Sequence, residues 1–294
     1  MRTWFSHAAF ALACCVAWPA GAAPDKPQGY RFQIVTGDDG SVTRRIADDL
    51  YKRLVPTFAG FRTELAQRRR MVLVAIGPAA LRDAAMRPCD CVVIAAFTSS
   101  QVWRDVMAQV PPARAASMTA IYAEPAPVDQ LHLISLLYGR PARVAAIVAD
   151  PRFFAPILGA TTDLYAFSEG EDINRLLNRI AQTDVLLALP DNAVFNAENI
   201  RNILLSTYRH KQAVIGFSSD MVRAGALAST YSDIDDINEQ VAETAARFVA
   251  SGELDAPQFP RYFRTVVNEG VARSLDIHVD SAARNFARRP RHRP

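Results

Sequence analysis

The sequence predicts an α/β protein with two doubly wound lobes, each built on a parallel sheet and joined to the other by crossovers. Three observations predict this class. Apolar runs of strand length alternate with amphipathic helical segments along most of the 294 residues, as expected for parallel sheets covered by helices. Polar residues end these runs abruptly, for example Pro190-Asp191-Asn192 after the run 184–189. A Glu-Pro-Ala-Pro interruption at 124–127 then separates two sets of such units.

The first set predicts four strands and three helices. Strands are expected at 30–36, 71–77, 91–97 and 118–122, because each run is apolar and of strand length. Ile46, Leu50 and Leu54 repeat at helical spacing between acidic residues, so they predict the first helix. Pro78 directly follows the second strand, and proline is favoured at a first helical position. A third helix is expected through Trp103, after a polar tip at 98–100.

The second set predicts a second sheet. Strands are expected at 143–148, 162–167, 184–189 and 213–217, followed by a return strand at 227–231 and a final extended stretch at 261–267. Helices are expected at 128–137, 173–180, 198–209 and 237–250, with a short one leading to Leu275. In the helix at 173–180 the apolar residues recur at i, i+3, i+4 and i+7, the spacing of a single buried face. Gly252 is positioned to end the longest helix as a C-cap.

The chain is predicted to divide into five segments. Residues 1–22 have the pattern of a secretory signal peptide, since Arg2 precedes an apolar stretch too short to span a membrane and an Ala20-Gly21-Ala22 cleavage site. Cys14 and Cys15 leave a lipid anchor open as the alternative. The other segments are a first lobe at 23–123, a second lobe at 124–230, a return crossover with closing helices at 231–280, and a basic disordered tail at 281–294.

Two cysteines, Cys89 and Cys91, remain after the predicted leader. In an extended strand they share one face, with their Cα atoms near the limit of disulfide reach. Two interpretations stay open, a pair of small buried thiols and a Cys-x-Cys disulfide in an oxidising compartment. Asp90 points to the opposite face and no histidine accompanies the pair, so neither a metal site nor a cofactor is predicted there.

Charge and motifs disfavour nucleic-acid binding and catalysis. The net charge is +3, and five arginines with no acidic residue lie within 284–294. That tail is interpreted as a solvated end, with weak attraction to anionic lipid as the alternative. No histidines stand at metal-ligand spacing, and no P-loop or dinucleotide fingerprint occurs. Gly216-Phe217-Ser218-Ser219-Asp220 lacks the second glycine of a nucleophile elbow, so the protein is predicted not to be an enzyme.

Four stretches between Glu124 and Ile277 resemble the substrate-binding proteins of ABC importers, in the branch that includes tryptophan and tyrosine binders. They are Pro125-x-Pro127-x-x-Gln130-Leu131-x-Leu133-Ile134, Arg143-Val144 before an apolar strand, Leu189-Pro190-Asp191-Asn192, and Met221-Val222-x-x-Gly225-Ala226-Leu227-Ala228-Ser229 followed by Gln240-x-Ala242. Gly77-x-Ala79-Ala80 is a weaker match in the first lobe. The resemblance implies the type I periplasmic-binding-protein fold. The first lobe departs from it, being shorter and having Thr98-Ser99-Ser100 where the family has Thr-Asp-Pro.

A two-lobed binder holds its ligand between strand ends and helix N-termini, where unpaired N–H groups attract carboxylates. The predicted ligand-binding residues follow strands of both lobes: Ser41, Gly77, Thr98, Ser99 and Ser100 in the first, and Asp150, Asp191, Asn192, Asp220 and Tyr231 in the second. A second-lobe carboxylate would hold a ligand ammonium, and Asp191 is the first candidate because it matches the family motif. Structural caps and turns are the alternative role for these polar residues. Tyr122 and Glu124, at the first crossover, are further candidates near the hinge.

The resemblance implies an extracytoplasmic solute-binding protein, located in the periplasm and expected to be a monomer. It would close over a small, carboxylate-bearing, amino-acid-like solute and deliver that solute to an ABC permease in the inner membrane. No nucleic-acid partner is expected. The alternative is a non-transporting accessory or sensor protein on the same scaffold, suggested by the shortened first lobe and the missing carboxylate at Thr98-Ser99-Ser100.

Overall fold

The computed structural model describes residues 30–58, 70–168 and 170–290. The predicted leader at 1–22, with Cys14 and Cys15, lies outside the described residues, as do residues 291–294 of the predicted tail. None of the helices in the described ranges is long and apolar enough to cross a membrane.

The first lobe is built on a four-stranded parallel sheet in the order β1-β2-β3-β4. The strands are β1 (Tyr30–Thr36), β2 (Arg70–Ile76), β3 (Cys91–Thr98) and β4 (Met118–Tyr122). Between them lie α1 (Ser41–Phe58), α2 (Gly77–Met86), α3 (Ser100–Met107) and α4 (Pro112–Ala115). Because all four strands run in the same direction, the loops that follow them lie along a single edge of the sheet.

The second lobe is built on a six-stranded sheet in the order β10-β9-β8-β7-β5-β6. Its strands are β5 (Val144–Val148), β6 (Thr162–Ala166), β7 (Val185–Leu187), β8 (Ala213–Ile215), β9 (Ala228–Tyr231) and β10 (Arg264–Val267). Its helices are α5 (Pro127–Tyr138), α6 (Pro151–Leu158), α7 (Ile173–Ile180), α8 (Asn199–Arg209), α9 (Ser219–Ala224), α11 (Glu269–Ser274) and α12 (Ser281–Arg284), and α10 (Ile234–Ser251) runs between α9 and α11 in sequence. The predicted parallel pairing is found for the strands from β5 to β9, whereas β10 at the edge pairs antiparallel with β9.

Both faces of each sheet are covered by helices that pack on it through an apolar core, as expected for a doubly wound lobe. In β2, Val72, Val74 and Ile76 pack towards α1 and α10, whereas Leu73 and Ala75 pack towards α2 and α3. This alternation with a period of two residues is that of any strand, and both faces are buried because helices cover both. The second sheet is covered in the same manner by two separate clusters. The predicted fold class is confirmed.

The predicted return segment, 231–280, is divided between the two lobes. Helix α10 follows the last parallel strand of the second lobe but packs in the core of the first, where Ile237, Val241 and Phe248 are buried. The chain then passes β4, where the Tyr122 N–H donates to the Gln258 carbonyl at 3.0 Å, before β10 joins the second sheet. The chain therefore crosses between the lobes three times, after β4, after β9 and after α10.

The prediction of a disordered tail from residue 281 is wrong for residues 281–290. Helix α12 begins after Asp280, whose carboxylate accepts the Ala283 N–H at 2.8 Å, and Ala283 is fully buried. Phe286 packs against the second-lobe core, and Arg288 forms a bridge with Phe263. The high arginine content of the segment does not reveal these small apolar contacts, and Arg288 itself lies over the Phe263 ring, 5.1 Å from its centroid.

Besides α12, the short helices α4 and α6 were also not predicted from the sequence. Helix α6 starts at Pro151 and contains Pro156, and these two prolines argue against a helix in the sequence alone. Proline is nevertheless tolerated in a first helical turn, and Asp150 caps this one by accepting the Arg152 N–H. The strands expected at 184–189 and 213–217 are shorter than predicted, as β7 and β8 have three residues each.

Cys89 and Cys91 are joined by a disulfide, which decides between the two interpretations of this pair. The buried-thiol interpretation fails for Cys89, which is exposed on the loop before β3, although Cys91 is buried.

Candidate functional site

The two lobes meet where the loops and helices that follow their strands face each other. Gln101 of α3 accepts a hydrogen bond from the Asn192 backbone N–H, 3.3 Å away. One turn further along α3, the Arg104 guanidinium lies 3.8 Å from the centroid of the Phe153 ring on α6. Helix α3 follows β3, α6 follows β5, and Asn192 follows β7. The cleft between the carboxyl ends of the two sheets is therefore the candidate functional site.

A bulge shapes the first-lobe wall at the end of β3. The register with β4 shifts between Ala96 and Thr98, and Phe97 between them has a φ of 56°. A bulge of this kind redirects the side chains that follow it. Thr98 is 1% exposed and its hydroxyl donates to the Ala96 carbonyl. Ser99 caps α3 by accepting the Val102 N–H at 3.2 Å. Both side chains thus have partners within their own segment.

Glu124 occupies the N-terminus of α3, where the sequence predicted a ligand carboxylate. One carboxylate oxygen accepts the Ser100 N–H at 2.8 Å, and the residue is 4% exposed. Burial raises the pKa of this carboxyl, and the hydrogen bonds from Ser100 oppose that effect. Burial and the nearby Glu124 carboxylate together raise the pKa of Tyr122 to about 12. The Glu124 side chain thus already supplies an acceptor to the first turn of α3 from within the protein.

Arg104 is a cleft residue that the sequence did not predict. Its Nε donates to the Ser100 carbonyl at 3.3 Å, one helical turn earlier, and this bond orients the guanidinium along the cleft. Its terminal nitrogens have no hydrogen-bond partner among the residues that the structure describes. The guanidinium stacks on Phe153 and is close enough to Asp150 to contribute to lowering the pKa of that carboxyl. A guanidinium held in this way presents donors suited to a carboxylate.

Asp191 holds two strand ends of the second lobe together. One of its oxygens accepts the Ala149 N–H at 2.7 Å, and the other accepts the Ala193 N–H at 3.0 Å. The residue is 4% exposed, so the carboxylate joins the end of β5 to the end of β7 instead of projecting into open space. Asn192, the next residue, is exposed and reaches the first lobe through its backbone.

Asp150 and Asp220 each pair with an arginine on their own helix. Asp150 caps α6 and accepts hydrogen bonds from the Arg152 side chain at 2.9 and 3.0 Å, so the pKa of Asp150 is lowered chiefly by Arg152. Asp220 lies in the first turn of α9 and forms an ion pair with Arg223. Both carboxylates remain accessible to solvent, and exposed pairs of this kind are worth little energetically.

The remaining predicted residues lie at strand ends along the same edges. Ser41 is the exposed first residue of α1, and Gly77 starts α2 with a φ of 83°, a conformation that favours glycine. A side chain added at Gly77 would meet open space, so backbone conformation and not crowding requires the glycine. Tyr231 ends β9, where the chain crosses back to the first lobe, and is half-buried.

A local signal was available for the missed cleft residues. Gln101 and Arg104 are three positions apart directly after the polar tip 98–100, so the start of α3 turns both side chains to one side. Phe153 and Phe154 follow Asp150-Pro151 in the same way. What no local pattern reveals is that these two helix starts face each other across the cleft.

The described residues contain no cluster of three or more His, Cys, Asp or Glu side chains able to hold a metal ion. Ser218, the central residue of the incomplete nucleophile elbow, caps α9 by accepting the Met221 N–H at 3.2 Å. Cavities of about 580 and 450 Å³ lie on the second lobe away from the cleft, one beside Gly139 and Val144 and the other between α8 and α9.

Comparison with known proteins identifies the fold. No family model matches the chain, and no curated protein matches it. Among solved structures, it is similar to the ligand-free, open form of a substrate-binding protein with adhesive properties from Clostridium difficile, at 13% identity, covering 87% of this chain and 98% of that one, with a TM-score of 0.58. The chain has the type I periplasmic-binding-protein fold.

Two further structures agree with this fold. An ABC domain in complex with L-Trp from Streptococcus pneumonia is 14% identical, with 88% of this chain and 98% of that chain covered and a TM-score of 0.52. A conserved domain protein from Vibrio cholerae is 18% identical, with the same coverages and a TM-score of 0.51. These likenesses establish the shared fold, whereas the tryptophan-type branch named from the sequence stays a prediction.

Proposed function

We propose that the protein is an extracytoplasmic solute-binding protein that closes its two lobes over a small, carboxylate-bearing, amino-acid-like solute. It delivers the solute to an ABC permease in the inner membrane and works in the periplasm as a monomer, after removal of residues 1–22. The observation that carries the proposal is the pairing of Gln101 and Arg104 with Asn192 and Phe153 across the cleft. These contacts join the carboxyl ends of two sheets, where α/β proteins bind small molecules.

Arg104 is the proposed partner of the solute carboxylate. The N-terminus of α3 was one of the first-lobe helix starts predicted from the sequence for that carboxylate, but Glu124 already fills it. The terminal nitrogens of Arg104 offer a planar pair of donors in the same cleft, four residues further along the helix. An ammonium group on the same solute would meet Asp150, an accessible second-lobe carboxylate that is close enough to Arg104 for the arginine to help lower its pKa.

Hinge closure is the proposed mechanism, because three chain segments connect lobes that each have their own core. A solute that contacts both walls stabilises the closed state by its higher affinity for that state. Phe153 gives the solute an apolar surface beside the guanidinium, and Asn192 offers polar groups. Ligand contact by Ser41, Gly77, Thr98, Ser99, Ser100, Asp191, Asp220 and Tyr231 stays a prediction.

The testing experiment is a thermal-melt screen of residues 23–294 against amino acids, small carboxylates, sugars and nucleosides, followed by titration of any hit. A solute present at a thousandfold excess over Kd stabilises the native state by about 4 kcal/mol. Arg104→Gln should weaken binding of a carboxylate solute by about 10- to 100-fold, since hydrogen bonds to charged groups contribute roughly 1.5–3 kcal/mol. Arg201→Gln, an exposed arginine of α8, is the matched control and should leave affinity unchanged.

A second function, a non-transporting accessory or sensor protein, is favoured by one observation. The anion-binding position at the start of α3 is closed by an internal carboxylate, so this site cannot serve a ligand as it stands. A screen with no melting shift in any chemical class, and no solute carried through purification, would support this function over transport. A shift that is unaffected by Arg104→Gln would retain solute binding and reject the assigned carboxylate site.

A further inference from the structure

The Cys89–Cys91 disulfide lies at the amino end of β3, on the opposite edge of the first-lobe sheet from the cleft. Pro88, Cys89 and Asp90 form an exposed turn, whereas Cys91 is 1% exposed and starts the strand. The two sulfurs therefore differ in access to solvent. A thiol in solution can therefore reach the sulfur of Cys89, whereas Cys91 is covered by the rest of the protein.

Arg114 of α4 holds its guanidinium against both sulfurs. Its two terminal nitrogens donate to the Cys91 carbonyl at 2.6 Å and to the Ala84 carbonyl at 2.9 Å. The nitrogen that contacts Ala84 lies 3.4 Å from the Cys91 sulfur and 3.7 Å from the Cys89 sulfur. The hydrogen bonds to the Cys91 and Ala84 carbonyls fix the position of the guanidinium and hold it beside the two sulfurs.

The positive charge of Arg114 is not neutralised by a carboxylate partner within the described residues. Asp90, which lies between the two cysteines in sequence, instead pairs with Arg70 at 3.3 Å. A guanidinium beside a sulfur favours the thiolate over the thiol. If the disulfide opens, Arg114 is therefore placed to stabilise the negative charge that appears on Cys91.

A purely stabilising role explains this disulfide poorly. The stabilisation that a disulfide gives by constraining the unfolded chain grows with the length of the loop it closes. Cys89 and Cys91 are separated by two positions, so the loop is as short as a Cys-x-Cys pair allows. Structural thiols also need no cation at hydrogen-bonding distance, whereas reactive cysteines characteristically have one.

We propose that Cys89 and Cys91 form a thiol–disulfide exchange site, with Arg114 stabilising the leaving thiolate, and that its reaction partner is a dithiol. A thiolate of the dithiol attacks the exposed Cys89 sulfur, the Cys89–Cys91 bond breaks, and Cys91 leaves as a thiolate beside Arg114. The second sulfur of the dithiol then attacks the mixed disulfide and releases Cys89. The dithiol loses two electrons and two protons and becomes a disulfide, and the two cysteines gain them.

The test measures reduction of native residues 23–294 by excess dithiothreitol, with acid quenching and mass analysis of alkylated thiols. Wild type should be reduced without denaturant and with unchanged circular dichroism, because Cys89 is exposed. Arg114→Gln should slow reduction about tenfold, since exchange depends on the stability of the leaving thiolate. Arg114→Lys, which keeps the charge but not the planar fork, should be slowed less.

Two controls keep the comparison specific. Ser117→Ala removes a hydroxyl that contacts the same arginine at 3.2 Å without changing charge, and its reduction rate should match wild type. Arg201→Gln removes a positive charge from the other lobe and should also match. Thermal melts show whether each variant is folded, and Arg114→Lys decides the question if Arg114→Gln does not fold.

Three results would overturn the proposal. One is equal reduction rates in wild type and in folded Arg114 variants, which would remove any role for the guanidinium. Another is a requirement for denaturant before the bond is reduced, which would make the disulfide structural. The third is a mass showing two free thiols in protein purified under air. None of these results bears on solute binding in the cleft, so the two functions are tested separately.

Discussion

Gln130 offers the sharpest test of how the lobes are joined. It lies on α5 just after the first crossover and is 2% exposed. Its amide donates to the Gly216 carbonyl and the Ser229 hydroxyl, and its oxygen accepts from the N–H and hydroxyl of Thr230. The Gln130 side chain thus links α5, which follows the first crossover, to β9, which precedes the second crossover.

Replacing Gln130 by leucine keeps the volume roughly constant and removes every one of these hydrogen bonds. The Gly216 carbonyl keeps a donor, the Ser229 hydroxyl at 2.8 Å, but the Thr230 N–H loses the side-chain oxygen that it contacts at 2.9 Å. A buried polar group without a partner costs about 1–3 kcal/mol. The Gly216 carbonyl loses one of its two donors, which costs less than the loss at Thr230. Together the two losses should lower the free energy of unfolding of Gln130→Leu by about 2–4 kcal/mol.

The assay is urea unfolding followed by fluorescence and circular dichroism, together with a thermal melt. The melting temperature should fall by about 5–10 °C in a protein of this size. Gln130→Glu keeps an acceptor but places a buried charge opposite two oxygens, so it should be less stable than Gln130→Leu at pH 7 and recover partly in acid. Gln109→Leu, at an exposed glutamine of the first lobe, is the matched control and should be nearly neutral.

A loss below about 0.5 kcal/mol in Gln130→Leu, equal to that of Gln109→Leu, would refute this reasoning, because surface substitutions fall in that range. It would mean that neighbouring groups or water replace the amide at no cost. A change in the slope of the unfolding transition instead of its midpoint would also contradict it, since the prediction concerns stability and not the area exposed.

Two further predictions concern pH. Burial raises the pKa of Glu124 above its ordinary 4.5, so its ionisation lowers stability as pH rises through that range. Glu124→Gln keeps an acceptor for the Ser100 N–H and should be more stable than wild type at pH 7 but not at pH 4, as measured by urea unfolding at both values. The pKa of Asp184 is shifted in the opposite direction. Burial by itself raises this pKa, but hydrogen bonds from the Arg143 N–H and the Arg140 side chain outweigh burial and lower it below 3.8. Its contribution is therefore complete above pH 4 and lost as pH falls further, and Asp184→Asn should be destabilised at pH 7 with the difference from wild type shrinking in acid.

The candidate site was predictable in its location but not in its chemistry. The polar tips after β3, β5 and β7 are visible in the sequence because a strand that ends in Ser, Thr, Asp or Asn is a local pattern. The groups that contact the residues at these strand ends lie far away in sequence. Asp191 binds the amide of Ala149, 42 positions away, and Glu124 binds that of Ser100, 24 positions away. Those long-range contacts decide that one carboxylate joins strands and the other fills a helix end.

The residues that carry the family resemblance also have a physical explanation that only the structure supplies. Gln130 and Ser229 belong to one buried hydrogen-bond network between α5 and β9. Gln240, on α10, accepts the Arg261 N–H at 2.6 Å where the chain leaves the first lobe for the last time. These residues hold the crossovers together, so their pattern is a signal of the fold more than of the solute.

The alternation of strands and helices, the two sets of units and the polar strand ends were determined by the sequence alone, because hydrophobic periodicity is a property of neighbouring residues. Tertiary structure alone decided that α10 packs in the first lobe, that residues 281–284 form a helix, and that Arg104 lies across the cleft from Phe153. The physical reason is common to all three. Each depends on which distant surfaces come into contact, and burial and charge pairing at those contacts have no counterpart in local spacing.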